Sequence, residues 1–111
     1  MIGLKVGDIV LIRSLYSSHT RIRHGLIINC YKNEVLVADT TKEIEKYRDE
    51  DFTEIIEISD INEGVIDKPL IAILNRINHF DSSICEKTAS LRREKIDTIL
   101  RKLSKLFPQV Y

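Results

Sequence analysis

Apolar positions come as short β-branched runs through most of the chain and change to helical spacing only near its end. Gly7-Asp8 forms a turn into Ile9-Val10-Leu11-Ile12, the mark of a strand buried over most of its surface. Arg13 to Arg23 then breaks the pattern with basic, hydroxyl-rich residues, so it is either a loop or a strongly twisted hairpin end. Leu26-Ile27-Ile28 and Val35-Leu36-Val37-Ala38 flank a tight turn at Tyr31-Lys32-Asn33-Glu34 and predict a hairpin. Lys42 to Asp51 is highly charged, with Ile44 and Tyr47 three apart, which fits one helical turn or an exposed loop. Strand composition returns over Phe52–Ile58 and again over Leu70–Leu74, where Pro69 sits at the strand's start and Asn75–Phe80 continues it. Ile96, Ile99, Leu100, Leu103, Leu106 and Phe107 recur at helical spacing, predicting a helix over Arg92–Leu106 that Pro108 stops, with Leu91 as an apolar contact at its start.

Short strands followed by one amphipathic helix predict a mostly β fold: a strongly bent antiparallel sheet or small barrel with the helix packed on it. A length of 111 residues fits one domain over 1–111, without room for a second core. No segment approaches the roughly 20 apolar residues of a membrane-spanning helix, and the first sixteen residues do not read as a signal peptide, so the expected location is cytoplasmic. Cys30 and Cys85 lack metal-ligand spacing and read as buried thiols.

Net charge is zero but unevenly spread: +4 over residues 1–32, −8 over 33–68 and +4 over 69–111. The basic thirds are candidates for a face that meets a polyanion, and the acidic third for a loop that limits access. No metal site and no cofactor are expected, because the acidic residues are scattered, the histidines lie far apart and there is no nucleotide-binding glycine loop.

The order of features resembles the MazF/PemK toxin family. The residues that carry the resemblance are Val6-Gly7-Asp8-Ile9-Val10, Arg23-His24-Gly25-Leu26-Ile27-Ile28, Val37-Ala38-Asp39-Thr40-Thr41, Gly64-Val65-Ile66-Asp67-Lys68-Pro69, Ile77-Asn78-His79-Phe80-Asp81 and Ala89-Ser90-Leu91. The resemblance implies an SH3-like barrel of the MazF/PemK type with a C-terminal helix, and the toxin of a type II toxin-antitoxin system. The implied activity is metal-independent endoribonuclease cleavage of single-stranded RNA through the 2′-hydroxyl, and the implied partners are a cognate antitoxin and a second copy of the chain. Leu70–Leu74 and the C-terminal helix are the candidate surface for that homodimer.

The family pattern implies catalytic places for Arg23 and Thr41, the guanidinium to span phosphate oxygens and the hydroxyl to donate to the same phosphate or orient the ribose. The predicted hairpin brings both to one rim, although by composition alone they read as a solvated charge and a strand cap. His24 stands where the family usually has Pro and is a third catalytic candidate, able to titrate near neutral pH. Leu15–Thr20 lacks the family's Gly- and Gln-containing loop. Arg13, Tyr16, Ser17, His19 and Arg21 are the candidate substrate-binding residues, the aromatic to stack on a base and the others to meet phosphate. These departures keep a second reading open: an SH3-like binding module without catalysis, engaging a protein or nucleic acid.

Overall fold

The computed structural model describes residues 3–16 and 19–108, with backbone alone over 14–16 and 19–21. Seven strands form one antiparallel sheet: β1 (Asp8–Tyr16), β2 (His19–Tyr31), β3 (Glu34–Thr41), β4 (Thr53–Ile56), β5 (Ile61–Gly64), β6 (Leu70–Asp81) and β7 (Cys85–Leu91). A one-turn helix α1 (Ile44–Tyr47) follows β3, and the long helix α2 (Arg93–Leu106) ends the described chain. The strand order is β4-β6-β3-β2-β1-β7-β5.

The central strands are apolar on both faces, which is why they read as continuous runs. Ile9, Leu26, Ile28 and Ala38 join the cluster that Ile99 and Leu103 of α2 cap. Their neighbours Val10, Ile12, Ile27, Val35 and Val37 form a second cluster, closed by Leu4, Phe80, Ile84 and Cys85. Side chains of β6 and β7 thus meet those of β1, β2 and β3 on one face, so the sheet curls around this second cluster. In β6, Leu70, Ala72 and Leu74 face the α2 side while Ile71 and Ile73 pack on Tyr47 of α1. Leu70–Leu74 is at most 6% exposed, so the run expected to supply a dimer surface is consumed inside the fold.

The stretch 13–23 is the end of a twisted hairpin, with Tyr16 paired to His19 and Ile12 to Arg23. Strands β5 and β7 carry too many charged and small residues to stand out in the sequence. The cysteines are half-buried and free, not fully buried. Helix α2 starts one residue later than its spacing suggests, with Arg92 as N-cap and Leu91 buried as the last residue of β7. Among the described residues no helix is long and apolar enough to cross a membrane.

Candidate functional site

Strands β2 and β3 pair, with one register shift between Ile27 and Asn29, as far as Gly25 opposite Asp39, and there the paired ladder ends. Gly25 permits the close approach at this point, because a Cβ would fall on the Val37 side chain and lie 3.3 Å from the Ala38 carbonyl oxygen. Past this pair the strands part, and a cleft of about 180 Å³ opens between them. Arg23 and His24 line it from β2, Asp39, Thr40 and Thr41 from β3, Tyr47 from α1, and Ile73 and Arg76 from β6.

A register break between β3 and β6 shapes the far wall. Ala38 pairs with Ile77 but its neighbour Asp39 pairs with Ile73, so residues 74–76 bulge past β3. A bulge of this kind re-aims a side chain, and here it accompanies Arg76 into the cleft. The Arg76 guanidinium lies 5.2 Å from the centre of the Tyr47 ring, and its Nη1 donates to the Tyr47 hydroxyl at 3.3 Å. Arg76 has no carboxylate partner among the described residues.

Arg23 is half-exposed. Its Nη1 stands 3.7 Å from Asp39 Oδ1, and its guanidinium lies 6.0 Å from the centre of the Phe80 ring. The two hydroxyls differ in commitment: Thr41 Oγ1 accepts from the Glu43 amide at 3.2 Å, whereas Thr40 Oγ1 is buried without a partner among the described residues. His24 is exposed and also lines a second cleft of about 310 Å³ with Ile9, Leu70, Thr88 and the loop 65–67. There Lys42 donates to Asp67 at 2.9 Å, and that hydrogen bond holds the Asp67 carboxyl below its ordinary range.

Arg23, His24 and Thr41 therefore line one cleft, and for Arg23 and Thr41 the hairpin geometry implied it. Arg13 does not line this cleft; it faces Glu86 of β7, with nitrogen and oxygen 3.6 Å apart. The backbones of Tyr16, His19 and Arg21 lie toward the far end of the β1–β2 hairpin, and their side chains, like the whole of Ser17, lie outside the described residues. Sequence reasoning missed Asp39, Thr40, Tyr47 and Arg76. Thr40 was visible as the neighbour of Thr41, and Arg76 as a cation interrupting an apolar strand. Among the described residues no group of three or more His, Cys, Asp or Glu could hold a metal ion.

Chemically, the cleft offers two guanidiniums for an anion, a free hydroxyl donor, a carboxylate and an imidazole. No family model and no curated protein matches the sequence. Among solved structures the fold is similar to a chain of the crystal structure of MazE-MazF (Form-III) from Deinococcus radiodurans, with a TM-score of 0.64 at 11% identity, covering 95% of this chain and 96% of that one. The architecture is thus MazF-like: a curled antiparallel sheet with a C-terminal helix.

Proposed function

We propose that this chain is the toxin of a type II toxin-antitoxin pair and cleaves single-stranded RNA as a metal-independent endoribonuclease in the cytoplasm. The observation that carries the reading is that Arg23 of β2 and Thr40 of β3, whose buried hydroxyl has no partner among the described residues, line one cleft that opens where those strands part. When a ribose 2′-oxygen attacks the adjacent phosphorus, negative charge builds on the non-bridging oxygens, and a fixed guanidinium stabilises it without reorganising. The Thr40 hydroxyl, already desolvated, gains a hydrogen bond only when a phosphate arrives. Thr41 then orients the β3 terminus through its bond to the Glu43 amide.

The MazF-like fold supports the toxin reading, and the structure it resembles is one of MazE-MazF. An antitoxin partner for this chain would carry an acidic extended segment, drawn to Arg23 and Arg76 and competing with RNA for them. A second copy of the chain is part of the same proposal, on a surface other than the Leu70–Leu74 run.

One observation favours the alternative, a binding module without catalysis: Asp39 already neutralises part of the Arg23 charge. Incubation of the protein with long single-stranded RNA in excess EDTA, beside Arg23→Ala, separates the two. Fragments ending in 2′,3′-cyclic phosphate that vanish in the variant support the nuclease; intact RNA at high protein excess supports the module.

A further inference from the structure

Cleavage through the 2′-hydroxyl needs a group to take the 2′ proton and a group to protonate the leaving 5′ oxygen. Five titratable side chains line the cleft. A guanidinium does not give up its proton in proteins, which sets the two arginines aside. Tyr47 is nearly buried and its hydroxyl already accepts from Arg76. Asp39 and His24 are left. Resting on the nuclease reading, we propose that Asp39 is the general base and His24 the general acid of this cleft.

Asp39 is free for the task. Among the described residues the one polar contact of its side chain is Arg23 at 3.7 Å, too long for a hydrogen bond, so its lone pairs remain open to a substrate hydroxyl. Its partner across the ladder, Gly25, has no side chain to cover it. Arg23 sits close enough to Asp39 to hold the phosphate that carries the attacked phosphorus.

Strand alternation places the two groups on opposite flanks. The position of a Cβ on Gly25, against Val37 and Ile12, shows that Gly25 faces the second apolar cluster. Arg23, two residues away, follows the same face and reaches Phe80 of that cluster, with Asp39 beside it. His24 faces the other way, toward Ile9 and Leu70 of the first cluster. A phosphate seated where the strands part has Asp39 on one side and His24 on the other, as an in-line displacement requires. The Asp39 carboxylate takes the 2′-hydroxyl proton as the 2′-oxygen bonds to phosphorus. The bond from phosphorus to the 5′ oxygen breaks, and that oxygen leaves with its electron pair and takes a proton from the His24 imidazolium. Products are a 2′,3′-cyclic phosphate and a 5′-hydroxyl, and water returns both side chains to their starting protonation states. The charged groups facing the pair are Arg23 from β2 and Arg76 from β6, with Tyr47 from α1 alongside; Lys42 and Asp67 face His24 from its far side.

The test uses an oligonucleotide spanning a site that the wild-type protein cuts, with either oxygen or sulfur as the bridging 5′ leaving atom, in single-turnover cleavage across pH. A thiolate leaves without a proton. Asp39→Asn should lose about 10²–10⁴-fold in rate, lose the low-pH limb of the profile, and gain nothing from sulfur. His24→Gln should lose a similar factor with oxygen and recover to within about tenfold of wild type with sulfur. An Asp39→Asn variant that keeps the low-pH limb, even at reduced rate, would mean Asp39 only positions Arg23 and would overturn the assignment. Equal response of both variants to sulfur would also overturn it. Wild-type protein inert toward every RNA would instead remove the nuclease reading, and the acid–base pair with it.

Discussion

One carboxylate of the sheet, Glu54, holds two lysines of helix α2, which makes Glu54→Gln a sharp perturbation. Glu54 is 13% exposed on its side chain and accepts from Lys95 Nζ at 2.5 Å and Lys102 Nζ at 2.6 Å, both from α2. Partial burial alone would raise its carboxyl, but the hydrogen bonds from Lys102 and Lys95, with their charges, outweigh it and hold the group below its ordinary value. For Lys95, burial lowers the ammonium and the bonds and charges of Glu54 and Asp60 raise it further, to a net value above the ordinary one. Breaking a fully buried pair costs about 3–5 kcal/mol. Less is expected here, because Lys95 keeps Asp60 at 3.4 Å and the Ile55 carbonyl at 3.0 Å, and Lys102 keeps the Thr53 carbonyl at 2.8 Å. The loss should therefore be about 2–3 kcal/mol, close to the worth of one or two charge-assisted hydrogen bonds. In urea this lowers the unfolding midpoint by about 1–2 M. A depressed carboxyl contributes stability above its unfolded pKa and loses it as pH falls through the folded value. A raised ammonium contributes below its unfolded pKa and loses it as pH rises through the folded value. The gap between wild type and variant should therefore be full between about pH 5 and 10 and close only in stronger acid or base. Urea titrations followed by circular dichroism at several pH values measure it. A gap under about 0.5 kcal/mol near neutrality, or one unchanged in strong acid, would refute the argument.

Arg23→Ala should lower RNA cleavage by about 10²–10³-fold while stability falls by no more than about 1 kcal/mol, since its ion pair is long and half-exposed; parallel cleavage and melting measurements check both halves. Thr40→Val should lower cleavage by about 10²-fold yet leave stability equal or slightly higher, because the hydroxyl it removes is buried without a partner. Gly25→Ala should destabilise by about 1–3 kcal/mol and disturb the cleft, since the added methyl meets Val37; urea unfolding reads the cost.

Legibility followed the physics of each element. The runs at Ile9, Leu26 and Val35 announced strands because both their faces are buried, and α2 announced itself because one face is. Strand β7 was hidden because its polar residues are spent on tertiary contacts: Lys87 reaches the buried Asp8 at 3.6 Å, and the Thr88 hydroxyl donates to the Ile9 carbonyl. Arg23 and Thr41 could be placed together from the hairpin alone, a local inference. Thr40 and Arg76 could not, since the commitment of Thr41 to the Glu43 amide and the bulge at 74–76 are set by how β3 meets α1 and β6, which no local pattern encodes.

The same pairing logic bears on how the cleft attracts its ligand. The acidic third was a candidate for a loop that limits access, but many of its carboxylates are matched in place: Asp39 with Arg23, Glu45 with Arg48, Glu54 and Asp60 with Lys95, and Asp67 with Lys42. What remains in the cleft is Arg76 unmatched and Arg23 loosely matched, so a single strand should be gripped by about two phosphate contacts. Counterion release then gives a slope of log affinity against log salt of about −0.7 per contact, or about −1.4 in all, a loss of roughly 25-fold over a tenfold rise in salt. A 2′-O-methyl RNA, which binds without being cut, lets fluorescence anisotropy read this directly. Arg76→Ala should halve the slope, whereas a slope that stays near −1.4 in the variant would mean the bulge does not deliver Arg76 to the phosphates.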